Sequence, residues 1–413
     1  LPIIEEEGYQ LDIDDFRKSF DLKFDAIDKN YLSNIRWPKG HTHEGQPIEL
    51  RDYQVDAINN YLENPQSLQE IATGAGKTII TATLSKISEQ YGRTIVIVPN
   101  KSLVTQTEED YKNIGLDVGV YYGERKEFDH THTICTWQSL NVMLKKTKAE
   151  IDDADIEHFI RDVVCVMVDE VHMAKADVLK QLLTGVFAKV PMRFGLTGTI
   201  PKQDYEFTSL LCGLGPVINK LSASELQDKG VLANCHVNII QTQDFGQFPT
   251  YQNEVSYLTS NENRLGFISN LIEEIRNSGN TLILVDRIKT GHLLEDLIVG
   301  GTFIQGKTKM EDRQEEYNEV ATEQNKVLIA TYGVAAVGIN LPRIFNLVLV
   351  EPGKSFVRVI QSIGRGIRRA KDKDHVQIWD ITSSCKFSKR HLTERKKFYK
   401  EAKYPYTIEK VNI

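Results

Sequence analysis

The chain has 413 residues, of which 41% are hydrophobic and 26% are charged, with a net charge of −7. This balance is typical of a globular protein of two or three domains and excludes disordered and fibrous classes. No apolar run approaches the ~18 residues that span a bilayer, no apolar leader opens the sequence, and the five cysteines form no C-x-x-C pair. We therefore expect a cytoplasmic protein with reduced thiols, no membrane association and no zinc site.

The charge is unevenly distributed. The first 30 residues carry nine acidic and four basic residues, whereas residues 386–413 carry nine basic and three acidic ones. An acidic chain with this asymmetry still allows a basic surface that binds nucleic acid, so motifs must decide the partner. Two His-x-His pairs, at residues 41–43 and 130–132, lack a third nearby ligand, and we interpret all four as surface histidines.

Short apolar segments alternate with amphipathic segments of helical length in two blocks of the chain. The first block contains Ser67–Ala72, Thr94–Val98, Thr133–Thr136, Val163–Val168 and Phe194–Leu196. The second block contains Val237–Ile240, Thr281–Val285, Thr302–Ile304, Val327–Ala330, Asn346–Val350 and Val376–Trp379. Apolar strands that alternate with helices predict an α/β fold with buried parallel sheets.

Changes in composition predict four regions. Residues 1–45 form an acidic amino-terminal appendage, residues 46–218 a first α/β domain, residues 219–385 a second, and residues 386–413 a basic tail. The boundary between the two domains follows the turn residues within Gly213–Ser224. The tail is predicted to be helical from Lys386 to about Ala402.

A glycine-rich turn, residues 72–78, lies between a predicted strand and a predicted helix. This is the setting of a phosphate-binding P-loop, in which backbone N–H groups and the helix N-terminus face phosphate oxygens. Lys77 would reach the β- and γ-phosphates, and the Thr78 hydroxyl would ligate Mg²⁺. Ile71 stands where such loops have their first glycine, and a simple glycine turn before a solvated lysine is the alternative. The predicted binding residues are Thr73, Gly74, Ala75, Gly76, Lys77 and Thr78.

A carboxylate pair, Asp169 and Glu170, ends a strand of the buried type and is followed by Val171 and His172. Ligands bind at the carboxyl ends of strands in open α/β sheets. Asp169 would hold Mg²⁺, and Glu170 would orient and deprotonate an attacking water. The alternative is an ordinary solvated acidic strand end.

A third cluster combines Gln361, Gly364, Arg365 and Arg368. The two arginines share one helix face because they are three residues apart. In a motor, an arginine that reaches the γ-phosphate contributes ~10³–10⁵ in rate. A solvated face or a simple polyanion patch is the alternative.

Together these motifs resemble those of superfamily 2 DExH helicases and, within that superfamily, the UvsW-like phage recombination helicases. The resemblance extends from about Glu49 to Ile413 and implies two tandem RecA-like domains, each a mostly parallel sheet flanked by helices, with a cleft between them. It implies a monomeric, nucleic-acid-dependent ATPase that uses ATP and Mg²⁺, in the host cytoplasm if phage-encoded. It further implies action on branched DNA, namely fork or junction unwinding or branch migration in recombination, repair or replication.

The resemblance also assigns expected roles to further residues. Arg51 and Gln54 would recognise adenine, and Gly338 would line the nucleotide site, although Asn340 replaces the aspartate common in that motif. Gln361, Arg365 and Arg368 would complete the catalytic site from the second domain. The residues expected to couple hydrolysis to the grip on nucleic acid are His172, Thr197, Gly198 and Thr199. The residues expected to contact nucleic acid are Pro99, Lys101, Ser102, Gln106, Thr136, Gln138, Thr331, Tyr332 and Gly333.

Several alternatives stay open at the level of sequence. Ser102 could serve only as a helix N-cap. Trp37 could stack on adenine or anchor the amino-terminal segment, and the basic tail could contact a duplex or be a solvated helix face. The partner could be single-stranded, forked or four-way DNA, RNA or an RNA–DNA hybrid. Other possible functions are a double-strand DNA translocase of a restriction-type system, an RNA helicase, or a nucleotide-gated binding module that does not hydrolyse.

Overall fold

The computed structural model describes residues 22–39, 43–148, 153–173, 176–200, 204–336, 341, 343–354 and 372–413. In this part of the chain, two mostly parallel sheets are each flanked by helices. The α/β fold class predicted from the alternating apolar segments is therefore confirmed.

The first sheet has eight strands in the order β4-β3-β5-β2-β6-β7-β1-β8. All neighbours are parallel except β3 and β4. Its strands are β1 Gln66–Ile71, β2 Arg93–Val98, β3 Val118–Tyr122, β4 Arg125–Lys126, β5 His132–Thr136, β6 Val163–Asp169, β7 Met192–Thr197 and β8 Val217–Leu221.

The second sheet has seven strands in the order β11-β12-β10-β13-β14-β9-β15, and every pairing is parallel. Its strands are β9 Asn234–Gln243, β10 Thr281–Val285, β11 Gly301–Ile304, β12 Val327–Thr331, β13 Asn346–Val350, β14 His375–Ser383 and β15 Tyr406–Asn412. The central strands β10 and β13 are buried along their whole length, as parallel strands between helices require.

The α-helices of the first half are α1 Asp52–Glu63, α2 Lys77–Ser88, α3 Lys101–Asn113, α4 Trp137–Lys148, α5 Asp153–Ile160, α6 Ala176–Gln181, α7 Asp204–Leu214 and α8 Ala223–Asp228. Those of the second half are α9 Tyr251–Leu258, α10 Glu262–Ile275, α11 Ile288–Leu297, α12 Met310–Thr322, α13 Tyr332–Ala336 and α14 Lys386–Glu401. Among the described residues, no helix combines the length and hydrophobicity that crossing a membrane requires.

The sequence prediction misses four strands, three of which lie at the edges of the sheets. All eleven apolar segments predicted as strands overlap observed strands, whereas β3, β4, β8 and β15 were not predicted. Strand β15 is largely exposed and β8 is mostly half-buried, so neither carries the continuous apolar run that marks an internal strand.

The structure shifts two predicted boundaries. The limit placed after residue 218 falls inside β8, which pairs with β1 through Ile71 and Leu221 and therefore belongs to the first sheet. The predicted basic tail, residues 386–413, contributes a strand to the second sheet, because β15 pairs with β9 from Tyr406 opposite Val237 onward. The helix predicted to begin at Lys386 is present as α14.

Part of the predicted amino-terminal appendage packs on the first domain. Leu32 is fully buried, and Ile27 exchanges two hydrogen bonds with the Asn59 side chain of α1, at 2.9 and 3.1 Å. Trp37 is half-buried against the same hydrophobic core. These contacts favour the anchoring role of Trp37 over adenine stacking.

The expectation of surface histidines is wrong for His132. This residue opens β5 in the interior of the sheet, so its side chain is fully buried and lies 2.8 Å from the Thr94 hydroxyl. Burial lowers the pKa of His132. His130, two residues earlier, is exposed and lies 2.7 Å from the Asp117 carboxylate.

Candidate nucleotide and nucleic-acid sites

The strand order places three predicted motifs at one edge of the first sheet. Strands β6, β7 and β1 are consecutive neighbours and parallel, so their carboxyl ends lie side by side. The loops that leave these ends contain the glycine-rich turn, the Asp169–Glu170 pair and the Thr197–Thr199 segment. This is the edge at which α/β sheets bind ligands.

The glycine-rich turn has a backbone conformation that a residue with a side chain would rarely adopt. Gly76 is the N-cap of α2 with φ +81°, a left-handed conformation that favours glycine. A Cβ atom at Gly76 would lie 2.7 Å from the Gln54 side-chain nitrogen. The turn therefore packs against α1 as closely as its sequence permits.

Gln54 is held against this turn. Its side-chain Nε2 donates to the Ala75 carbonyl oxygen at 3.0 Å, and its Oε1 accepts from the Arg51 backbone N–H at 3.0 Å. The structure thus places the two residues expected to recognise adenine, Arg51 and Gln54, next to the turn expected to bind phosphate.

Tyr53 is a contributor that the sequence reasoning missed. Its hydroxyl donates to the Ala75 carbonyl at 2.8 Å and lies 2.9 Å from the Arg51 guanidinium. Burial raises the pKa of Tyr53, which keeps the hydroxyl a donor at neutral pH. Its position directly before Gln54 was the available signal.

Lys77 and Glu170 form a buried ion pair. The Lys77 ammonium lies 3.1 Å from Glu170 Oε1, with both side chains about 8% exposed, and it also donates to the Ile71 carbonyl at 3.4 Å. Glu170 has φ +50°, a left-handed conformation that costs a non-glycine residue roughly 1–2 kcal/mol. Strain of this kind is characteristic of functional positions, and this one aims the carboxylate at the P-loop lysine.

Asp169 and Thr78 flank this pair. Asp169 ends β6, and its Oδ1 accepts from the Glu170 backbone N–H at 2.9 Å. Thr78 is the second residue of α2. Both side chains are half-buried at the sheet edge and offer the oxygen donors that Mg²⁺ prefers.

A hydrogen-bond chain extends from Glu170 to the end of β7. The Gly198 N–H donates to Glu170 Oε2 at 3.4 Å, and His172 Nδ1 lies 2.6 Å from the Thr197 hydroxyl. That hydroxyl donates to the Thr199 carbonyl at 2.7 Å, so the His172 ring nitrogen acts as the donor toward it. The four residues expected to couple hydrolysis to grip are therefore contiguous with the predicted catalytic carboxylate.

The expected nucleic-acid residues of the first half lie at the ends of neighbouring strands β2 and β5. Gln138 Nε2 donates to the Pro99 carbonyl at 3.0 Å, and the Thr136 hydroxyl lies 2.9 Å from that of Ser139. Lys101 is exposed at the start of α3 and Gln106 is half-buried within it.

The interpretation of Ser102 as an N-cap is wrong. The N-cap of α3 is Asn100, whose side chain accepts from the Leu103 N–H at 3.0 Å. Asn is a preferred N-cap and directly precedes the helical segment, so the residue type was a usable signal.

The expected contacts of the second half lie where β12 ends. The Thr331 hydroxyl accepts from the Val334 N–H at 3.3 Å, and Gly333 is exposed. Tyr332 is buried and its hydroxyl donates to the Val350 carbonyl at 3.5 Å, so it can offer a ligand only its backbone. The predicted residues Gly338, Gln361, Arg365 and Arg368 lie outside the described part of the chain.

Two family models and a known helicase match the sequence of this chain. The family described as "Type III restriction enzyme, res subunit" matches residues 47–202, and "Helicase conserved C-terminal domain" matches residues 263–370. The chain is 23% identical over 437 aligned residues to the ATP-dependent DNA helicase uvsW of Enterobacteria phage T4, covering 96% of this chain and 82% of that protein. The chain is a superfamily 2 helicase of the UvsW-like kind. It is accordingly a nucleic-acid-dependent ATPase.

Solved structures share the fold of this helicase. The restriction-modification enzyme LlaBIII bound to DNA aligns with a TM-score of 0.65 at 15% identity, over 90% of this chain and 32% of that one. A variant of S. cerevisiae Dbp5 bound to RNA and ADP BeF3 aligns with a TM-score of 0.58 at 15% identity, over 88% and 90%. These likenesses place the two sheets in the tandem RecA-like fold.

Proposed function

We propose that this helicase remodels branched DNA, by unwinding forks or junctions or by branch migration, in phage recombination, repair or replication. Its similarity to T4 uvsW over 96% of the chain supports this proposal. The observation that carries the ATPase part is the meeting of Lys77, Glu170 and Thr197 at one sheet edge. The protein would act as a monomer in the host cytoplasm.

ATP binding would begin with an exchange of partners at Lys77. The Lys77 ammonium contacts the Glu170 carboxylate at 3.1 Å. A γ-phosphate in the P-loop competes for this ammonium with a higher negative charge. When the Lys77 ammonium moves to the phosphate, the Glu170 carboxylate is released. It can then orient a water molecule and accept a proton from that water.

The donor set fits a magnesium ion. Mg²⁺ in nucleotide sites is held by one or two protein oxygens together with phosphates and waters, and Thr78 and Asp169 would supply the protein oxygens. When bound, the ion would neutralise charge that develops on the β- and γ-phosphates. Gln54 and Arg51 would hold the adenine end, and Gln361, Arg365 and Arg368 would reach the γ-phosphate from the second domain.

The nucleic-acid strand would lie over the carboxyl ends of strands in both domains. Donors at Lys101, Gln138, Thr331 and Gly333 would contact its phosphates rather than its bases. Contacts of this kind position a strand without reading its sequence, which suits a motor that steps along any DNA.

The deciding experiment compares ATP hydrolysis across nucleic-acid structures. Phosphate release is measured with single-stranded, duplex, forked and four-way DNA and with RNA, next to strand separation on the forked and four-way substrates. We expect the strongest stimulation on branched DNA, together with strand separation that Glu170→Gln abolishes. Stimulation by RNA alone would contradict the proposal.

A double-strand translocase is the second candidate, because residues 47–202 match a restriction-enzyme family. Such an enzyme would hydrolyse ATP on duplex DNA, displace a triplex-forming strand and leave forks intact. Absence of strand separation together with triplex displacement would favour this candidate.

A further inference from the structure

A cavity of about 360 Å³ opens at the carboxyl edge of the second sheet, outside the nucleotide site. Its wall combines aromatic rings, cations and a turn, and we call it the aromatic notch. It is lined by Tyr251, Pro352, Gly353, Lys354, Phe387, Arg390 and His391. The lining comes from α9, from the turn after β13 and from the first turns of α14.

The three rings of the aromatic notch pack edge to face, with Tyr251 in contact with the other two. Tyr251 meets His391 edge-on with centroids 4.5 Å apart, and Phe387 lies 6.4 Å from Tyr251 on another side. Tyr251 and Phe387 are only half-buried, so both rings keep surface that a planar group can cover. Aromatic surfaces of this kind accept nucleobases irrespective of sequence.

The cations of the aromatic notch face outward without carboxylate partners. Lys354 and Arg390 are exposed and form no ion pair within the described residues. The nearby acids Glu254 and Glu351 are buried and already have partners: Glu254 accepts from the Ser388 backbone N–H at 2.6 Å, and Glu351 pairs with Arg264 at 2.7 Å. The opening therefore presents positive charge to solvent.

One buried atom of the lining is unsatisfied. His391 is 8% exposed, and its Nδ1 has no hydrogen-bond partner among the described groups. Burial and the neighbouring Arg395, Lys354 and Arg390 charges lower the pKa of His391, so its ring is neutral at neutral pH. Unsatisfied buried nitrogens are uncommon in proteins and suit a site that a ligand completes.

The position of the notch favours a nucleic-acid ligand. It lies over the ends of β13, β14 and β9, on the same edge as Thr331 and Gly333 at the end of β12. Neighbouring strands are ~4.8 Å apart, so β12 and β13, with β10 between them, are separated by roughly 10 Å. A nucleic-acid strand that contacts Gly333 can therefore extend to the aromatic notch within a few nucleotides.

We propose that the aromatic notch binds a single-stranded segment of nucleic acid, with phosphates on Lys354 and Arg390 and a base against Tyr251 and Phe387. This inference rests on the proposed function and adds a contact beyond the helicase motifs. It also gives the basic end of the chain a specific role, because only the first turns of α14 would contact the strand.

The test is a binding titration without nucleotide. A fluorescently labelled thymidine 20-mer is titrated with the wild-type chain, the double variant Lys354→Ala/Arg390→Ala and the control Lys400→Ala, an exposed lysine near the other end of α14. We expect the double variant to raise Kd about tenfold and to reduce the slope of log K against log salt by about 1.4, the value for two phosphates of a single strand. Lys400→Ala should change neither quantity.

Three outcomes show whether the inference about the aromatic notch or the proposed function itself fails. If the wild-type chain binds no nucleic acid, the proposed function fails together with the notch. If the wild type binds and the double variant matches it in Kd and salt slope, the notch inference is overturned while the proposed function stands. Acetylation of Lys354 in the unsubstituted protein, measured by mass spectrometry, must fall when the 20-mer is added, and unchanged acetylation would also overturn the inference.

Discussion

Two buried ion pairs, one in each half of the chain, differ in how completely they are enclosed. Lys77 and Glu170 meet through one contact of 3.1 Å at the sheet edge, with both side chains about 8% exposed. Arg395 and Asp380 meet through two contacts of 2.9 Å, with exposures of 1% and 0%. The second pair is also closed by Tyr399, whose hydroxyl donates to Asp380 at 2.7 Å.

This difference suits the two ion pairs to different roles, the first in ATP hydrolysis and the second in stabilising the fold. Under the proposed function, Lys77 would exchange Glu170 for a phosphate, because the pair lies beside the glycine-rich turn and its two side chains meet through one contact. Arg395 also donates to the Gly353 carbonyl at 2.6 Å, so its position is shared between β14, α14 and the turn after β13. Satisfied in this way, a buried pair holds elements together, and removing one partner is costly.

The largest expected effect is on turnover. Glu170→Gln should reduce ATP hydrolysis ~10²–10⁴-fold, since an amide cannot accept the proton of water. Phosphate release measures turnover, and circular dichroism at the assay temperature should show a folded protein, because the amide keeps the shape of the side chain and its oxygen can still accept a hydrogen bond from Lys77. Glu109→Gln on the exposed face of α3 is the matched control and should be neutral. Wild-type turnover in the Glu170 variant would remove the distinction between the two pairs.

Breaking the enclosed pair should instead destabilise the fold. Arg395→Ala leaves Asp380 buried and unpaired, which costs about 3–5 kcal/mol of unfolding free energy. Urea denaturation followed by circular dichroism measures the loss, and Lys400→Ala should change it by less than ~0.5 kcal/mol. An unchanged midpoint in the Arg395 variant would show that this pair contributes nothing net.

A smaller effect is expected at the adenine end of the nucleotide site. Gln54→Ala should raise the KM for ATP about tenfold, or ~1.4 kcal/mol, and should leave the KM for GTP nearly unchanged. Steady-state ATPase assays with both nucleotides test this, with the exposed Gln90→Ala as control. Equal increases for both nucleotides would assign Gln54 to loop support rather than to base recognition.

The smallest effect concerns the chain of hydrogen bonds from Glu170 to β7. Thr197→Val preserves the side-chain shape but removes the hydroxyl between His172 and Thr199, at a cost of ~1 kcal/mol. Basal ATP hydrolysis should persist while its stimulation by DNA declines. Thr184→Val, at an exposed position, should retain full stimulation. Full stimulation in the Thr197 variant would exclude a coupling role for the hydroxyl.

That the residues proposed for the nucleotide site lie together could be predicted because phosphate binding favours particular residue types at the ends of strands. Gly76 has a backbone angle that glycine favours, and Glu170 follows a strand whose burial is visible as an apolar run. The roles of Asn100 and Tyr53 were missed because they depend on hydrogen bonds to backbone atoms, for which residue type and position were the only signals and periodicity gave none. The burial of His132 was missed because it depends on where β5 enters the sheet.

The sequence by itself determined eleven of the fifteen described strands and located the glycine-rich turn and the carboxylate pair at the ends of two of them, because buried strands have a recognisable apolar pattern. Only the tertiary structure decided that residues 386–413 complete the second sheet and that Arg395, in a basic run, is fully buried. The physical reason is that β15 and α14 obtain their stability from partners such as Val237 and Asp380, far away in the chain. Local sequence records the charge of such a segment but not the surface that it covers.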